Sequence, residues 1–334
     1  MKPVASINWS QNFFWDRYYV IKLLDKTGIS KSHTVIEIGP GKGIITGILA
    51  ERAGRVIGVE MDSRLANTLR ERLTSRQNVE IICGDFFEYQ NPGEVSNPVV
   101  IGNPPFAETR RLIDKLFLDT PEFGAKTVYL VLQKEAAEKF TGIPQSTLAA
   151  VRLGIAGWGR RILEQIPRGQ FKPMPKTDAA WVEFKKVRSR GPEEFEDLAA
   201  YFFINYQKGG VLINDLGKVF TKSQAEKIAA DLNLTNKSIQ DMNDQHWRYI
   251  YEIFDRLANT RQKELISGVM KQLQMSNQIQ KLKLKTPNQD SLPVWIIKVP
   301  MWRWWRRGWI RRGRSHFCPT EGSWLPSGRG EFGW

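Results

Sequence analysis

Hydrophobic positions in the first half of the chain come in short blocks rich in β-branched residues, separated by longer amphipathic stretches. Thr34–Ile38 and Arg55–Glu60 read as buried strands, and Val79–Cys83, Pro98–Gly102 and Thr127–Gln133 as further strands. Between them, helices are expected over Arg17–Leu24, with Asp16 as N-cap and Gly28 as the stop, and from a glycine-rich turn to about Ala53. Ser63–Leu73 and Glu108–Leu118 carry the same helical pattern. Strands alternating with helices predict right-handed crossovers and a mostly parallel sheet covered on both faces. Ala179–Lys185, after the turn-rich Phe171–Thr177, reads as a late strand. Composition shifts near Arg188–Pro192, and the pattern beyond is helical: Glu194–Tyr206, Val211–Phe220, Ser223–Leu232 and Asn243–Leu257. Arg261–Lys285 fits one more helix, basic and rather polar. No internal repeat is visible.

Composition narrows the class. With 334 residues the chain can bury a full core without disulfide or metal staples. Two cysteines exclude a disulfide framework and a thiolate-rich zinc site, and three scattered histidines argue against a His-based triad or metal cluster. No metal is expected. No apolar run approaches the roughly 18–20 residues that cross a bilayer, and Met1–Ser10 lacks the pattern of a secretory signal. A reduced, cytoplasmic protein without membrane contact is the expectation, acting as a monomer.

Net charge is +14. From Ser291 onward eight Lys/Arg face two acids, so the body of the chain is basic as well as the tail. A basic body points to a polyanionic partner, nucleic acid ahead of a membrane surface. The tail differs in kind: it holds seven of the twelve tryptophans, with a dense patch over Trp302–Trp309. Gly308 and Gly313 interrupt the helix face that Trp302, Trp305 and Trp309 would share. They favour a tail outside the fold over an arm that stacks on RNA.

Glu37-Ile-Gly-Pro-Gly-Lys-Gly43 follows a strand and opens a helix. A glycine turn there lets backbone approach a ligand beside the positive end of the helix. A nicotinamide fingerprint would need glycine at 44, where Ile44 stands; the G-x-G-x-G spacing with an acid two residues ahead suits S-adenosylmethionine. Glu60 ends the second strand, where a carboxylate can accept both ribose hydroxyls. Asp85, after the third strand, is placed to accept an adenine amino group, with Phe86 to cover the ring.

Asn103-Pro-Pro-Phe106 directly follows the strand Val99–Gly102 and is the most specific feature of the chain. An exocyclic adenine amine is a poor nucleophile because its lone pair is delocalised into the ring. The Asn103 side-chain oxygen and the Pro104 backbone carbonyl can accept its two N–H bonds and draw the nitrogen toward tetrahedral geometry. Rigid prolines hold those acceptors, and Phe106 offers a face for a flipped base.

In that order, Ser10–Phe14, Glu37–Gly43, Glu60, Asp85-Phe86 and Asn103–Phe106 resemble the ribosomal RNA adenine N6-methyltransferases, the KsgA and Erm group. The resemblance continues through Leu132–Ala136, Phe171–Asp178 and Gln245-His-Trp247, and covers about Asn8 to Leu257. It implies a Rossmann-like α/β methyltransferase sheet over residues 1–190, a small all-helical domain over 191–290 that helps hold RNA, and a Trp/Arg-rich tail at 291–334. It implies that Asn12 and Phe14 border the cofactor, that Gly39 faces its methionine end, and that Asn103 sits between methyl donor and target base. The expected cofactor set is Asn12, Phe14, Gly39, Gly41, Glu60, Met61, Asp85, Phe86 and Asn103. The expected catalytic set is Asn103, Pro104 and Phe106.

Many members carry Asn-Leu-Pro-Tyr or Asn-Ile-Pro-Tyr where this chain has Asn-Pro-Pro-Phe, and Phe106 lacks the tyrosine hydroxyl. The segment Ser146–Leu153 is also shorter and less KsgA-like. Both features lean to the macrolide-resistance branch, which methylates large-subunit ribosomal RNA and confers antibiotic resistance. The rivals are a small-subunit dimethyltransferase of ribosome biogenesis and RNA processing, a non-catalytic RNA-binding assembly factor, and a DNA adenine methyltransferase.

Overall fold

A computed structural model describes residues 12–91, 95–119, 124–206 and 210–276. Ser10 and Gln11 of the N-terminal motif, the Trp/Arg patch and the expected end of the second domain at 290 lie outside them.

The described residues begin with a two-residue strand, β1 (Phe13–Phe14), and helix α1 (Arg17–Asp25). Asp16 caps α1, its carboxylate accepting from the Tyr18 and Tyr19 amides. Then come β2 (Thr34–Ile38), α2 (Ile44–Arg52), β3 (Arg55–Glu60), α3 (Ser63–Arg72), β4 (Val79–Cys83) and β5 (Val99–Gly102). After α4 (Thr109–Ile113) follow β6 (Thr127–Gln133), α5 (Lys134–Thr141), α6 (Leu148–Ile155), β7 (Trp158–Ile166), β8 (Phe171–Lys172) and β9 (Ala179–Lys186).

The main sheet runs β4-β3-β2-β5-β6-β9-β7. The strands from β4 to β6 are parallel, and β9 and β7 add an antiparallel edge. β2 is buried on both faces after its first residue, which explains its near-continuous apolar run. The chain winds outward from β2 through β3 to β4, then returns to place β5 on the other side of β2. That reversal opens a crevice at the carboxyl ends of β2 and β5, where ligands of doubly wound sheets bind. One core covers each face, one holding Ile36, Val100 and Leu130, the other Val35, Ile101 and Val131.

Helices α7 (Glu193–Asn205), α8 (Leu212–Leu216), α9 (Lys222–Asp231), α10 (Asp244–Leu257) and α11 (Thr260–Ile266) follow, and helix resumes over 269–276 at the end of the described chain. They enclose a third core around Phe202, Trp247 and Phe254, which also takes Val151 and Ile155 from α6. Glu196 of α7, 5% exposed, pairs with Arg152 of α6 at 3.0 Å and with Arg190. Arg160 of β7 pairs with Asp244 of α10 at 2.7 Å.

Some elements differ from the sequence expectation. Glu108–Leu118 is helical as expected but changes type within its length: after α4, a π-helical coil over Asp114–Asp119 brings Leu116, Phe117 and Leu118 all into the core. The single helix expected over Arg261–Lys285 breaks after α11. Gly268 turns the chain at φ 73°, and Asp197 of α7 accepts the Gly268 and Met270 amides, both at 2.8 Å. The Val211–Phe220 helix contracts to α8.

Candidate functional site

The glycine loop between β2 and α2 forms the floor of the crevice. Its shape depends on left-handed backbone at Gly41 (φ 58°) and Gly43 (φ 78°), which side-chain-bearing residues rarely adopt. Space is equally decisive. A Cβ on Gly41 would stand 2.5 Å from Phe13 Cε1, and one on Gly43 would overlap the Leu69 side chain. Gly43 is the N-cap of α2, so the loop feeds straight into the positive end of that helix.

Asn12, Phe13, Phe14, the loop from Gly39 to Ile45, Glu60, Asn103 and Pro105 line one pocket here, of about 50 Å³. Of the expected set it gathers Asn12, Phe14, Gly39, Gly41, Glu60 and Asn103. Phe13, Lys42 and Pro105 also line it and were missed, although all lie inside motifs that the sequence displays. Met61 is 45% exposed and outside the wall. Asp85, half-buried, uses its carboxylate to accept the Phe87 amide at 2.8 Å, an Asx turn that holds the loop after β4. Phe86 belongs to the core rather than to a pocket wall: it is 5% exposed, stacked on Tyr89 at 6.3 Å, because its side chain turns under the sheet. Pro104 is buried and Phe106 half-buried against the core beside α1 and α2. The wall between them is made by Pro105.

Glu60 is 2% exposed, and its carboxylate points into the loop. One oxygen accepts the Gly41 amide at 2.8 Å and the other the Asp62 amide at 2.9 Å. The residue expected as an open acceptor for ribose thus braces the glycine loop, each oxygen keeping one further lone pair. Glu37, 1% exposed on β2, has Oε2 without a partner among the described residues. Burial pushes its carboxyl up to about 8; the neighbouring Thr46 opposes the rise and the charge of Glu60 adds to it.

Asn103 is tied across the pocket: its Nδ2 donates to the Asn12 carbonyl at 2.7 Å. That bond fixes the amide orientation and leaves Oδ1 as an acceptor. Among the described residues, neither Asn103 Oδ1 nor the Pro104 carbonyl has a hydrogen-bond partner. Among the same residues, no group of three or more His, Cys, Asp or Glu is placed to hold a metal, and no helix is long and apolar enough to cross a membrane.

These residues fit S-adenosylmethionine. The left-handed glycine cradle, the N-terminus of α2, a buried carboxylate on the loop amides and the apolar wall of Phe14, Ile44 and Ile45 suit a ligand with a charged amino-acid end and an apolar ring.

Comparison with known proteins agrees. The family model for ribosomal RNA adenine dimethylase matches residues 5–258. An rRNA adenine N-6-methyltransferase of Bacillus licheniformis is 28% identical over 249 residues, 72% of this chain and 84% of the relative. A ribosomal RNA small subunit methyltransferase A of Streptococcus thermophilus is 31% identical over 251 residues, 70% of this chain and 84% of the relative. The crystal structure of the 23S rRNA methyltransferase ErmE superposes with a TM-score of 0.65 at 25% identity, covering 73% of this chain and all of that one. The crevice at the β2/β5 switch, the anchored Asn103 and the match across the sheet and the helices lead to one conclusion: the chain belongs to the ribosomal RNA adenine dimethylase family, enzymes that transfer methyl groups from S-adenosylmethionine.

Proposed function

We propose that the chain methylates N6 of an adenine in large-subunit ribosomal RNA, in the manner of macrolide-resistance enzymes. The observation that carries the chemistry is a pair of acceptors without partners among the described residues, Asn103 Oδ1 and the Pro104 carbonyl, beside the glycine-loop pocket. Bound S-adenosylmethionine supplies the sulfonium methyl. Asn103 and Pro104 accept the two N–H bonds of the target amine, which localises its lone pair on nitrogen. The bond from Asn103 to the Asn12 carbonyl keeps the acceptor from rotating away. Positioning and electrostatics then carry the step: the N–C bond would form as the methyl–sulfur bond breaks, leaving a neutral thioether, and the methylated nitrogen, now strongly acidic, gives its surplus proton to water, so no strong general base is required. Phe106 stacks on the base. Gly39 and Gly41 hold the methionine end, Glu60 keeps its bonds to the loop amides and offers its remaining lone pairs to the ribose, and Asp85 meets the adenine amino group. The helical segment from residue 191 onward helps hold the RNA.

Large-subunit specificity is supported by the ErmE match and by Pro104 and Phe106 in the catalytic motif. The second reading is small-subunit adenine dimethylation, supported by the Streptococcus thermophilus relative. Asn103→Ala tests the mechanism common to both. It should lower kcat by about 10²–10³-fold while cofactor affinity, read by calorimetry, stays near that of the parent. Wild-type turnover in this variant would remove Asn103 from the mechanism.

A further inference from the structure

β1 and β8 form a ribbon in which Phe13 lies opposite Lys172 and Phe14 opposite Phe171. Side chains alternate along a strand, so each opposed pair shares a face. Phe14 and Phe171 face inward, their rings 4.6 Å apart in the core. The other face begins at Phe13, in the pocket wall, and continues two residues on to Trp15.

Trp15 is 51% exposed, yet its ring is held. Nε1 donates to the Gly169 carbonyl at 2.7 Å, and the backbone amide donates to the Gln170 carbonyl at 3.4 Å. Lys172 Nζ stands 4.7 Å from the ring centroid. The arrangement repeats one step nearer the reaction: Lys42 Nζ lies 5.1 Å from the centroid of Phe13. Two rings on one face, each with a lysine over it, lead from the pocket into solvent.

Anchoring an indole while leaving half of it in water does little for the core. It does match the chemistry by which single strands are held: a base stacks on an aromatic face and an ammonium meets the phosphate. Two residues along a strand span about 7 Å, so Trp15 stands beside the reaction pocket and not within it. Lys172 sits on a flexible stem and can leave the ring for a phosphate as a base arrives.

We propose that Trp15 and Lys172 form a nucleotide subsite next to the target adenine, where an unpaired flanking base stacks on the indole and Lys172 meets its phosphate. The proposal rests on the RNA-methylating reading above. Trp15 is here a positioning residue for the RNA, and the structural alternative is an anchor that only pins β1 over the cofactor pocket.

The test uses the full chain and transcripts of large- and small-subunit ribosomal RNA. If wild-type protein methylates neither transcript, the RNA reading fails and the subsite with it. If it methylates one, KM and kcat are measured on that RNA, together with the Kd for S-adenosylmethionine. Trp15→Ala should raise the RNA KM about tenfold at unchanged kcat and unchanged cofactor Kd. Trp15→Phe keeps a stacking face and loses the Nε1 bond; it should stay within about threefold of wild type. Lys172→Gln should raise KM and reduce the salt dependence of RNA binding. An unchanged KM in Trp15→Ala overturns the subsite. So does a Trp15→Phe protein as impaired as Trp15→Ala, or a KM rise accompanied by an equal loss of cofactor affinity.

Discussion

Glu37→Gln isolates the electrostatics of the cofactor loop. Glu37 lies on β2 at 1% exposure, with its carboxyl raised from the ordinary glutamate range to about 8, chiefly by burial. Between the two the unfolded carboxyl is ionised while the folded one stays protonated. The folded state then holds one more proton, so stability falls as pH rises through this window. The slope is up to about 1.4 kcal/mol per pH unit, and the full span amounts to about 5 kcal/mol. Below the window both states are protonated, above it both are ionised, and the group adds no slope. Glutamine keeps the shape and cannot ionise. The stability difference between Glu37→Gln and wild type should therefore grow in favour of glutamine by about 3–4 kcal/mol from pH 5 to pH 8, most steeply near the middle of the window. Urea midpoints of both proteins at four pH values measure it. Cofactor affinity at pH 7 should be similar in the two, because the wild-type carboxyl is itself neutral there. Parallel stability curves would refute the assignment of a buried, protonated Glu37.

Gly41→Ala places a Cβ 2.5 Å from Phe13 Cε1 on a backbone at φ 58°; cofactor affinity should fall about tenfold by calorimetry, from roughly 1–2 kcal/mol of left-handed strain plus the displaced ring, and an unchanged Kd would contradict the cradle. Glu196→Ala leaves Arg152, 8% exposed, without its carboxylate and should cost about 3–5 kcal/mol in urea denaturation; a loss below about 1 kcal/mol would show that the α6–α7 pairing carries little. RNA affinity should fall steeply with salt because of the basic body, and a flat response would assign the positive charge another purpose.

The strands that position the site could be read from the sequence because they are buried on both faces. β2, β3, β5 and β6 are short apolar runs bounded by turns, and the motifs stand where those runs end. β7 was hidden because it is an edge strand whose Arg160, Arg161, Glu164 and Gln165 break any alternation, with an irregularity between Ile162 and Glu164. β1 and β8, two residues each, have no periodicity to read; they form because the ring of Phe14 meets that of Phe171 in the core. The break after α11 depends on Asp197, distant in sequence, which accepts the amides beyond the turn. At the site, glycine spacing marked the floor and Asn103 the wall. Burial decided the rest: nothing local shows that Glu60 turns inward to the Gly41 amide or that Phe86 enters the core.

The central claim is adenine methylation of ribosomal RNA centred on Asn103. The most direct test is transfer of labelled methyl from S-adenosylmethionine to purified large- and small-subunit ribosomal RNA, side by side, with Asn103→Ala as control and modified positions mapped by reverse transcription. The account predicts label at one adenine of the large-subunit RNA, absent with the variant. Label confined to small-subunit RNA would contradict the large-subunit assignment. Label that survives in Asn103→Ala would contradict the mechanism itself.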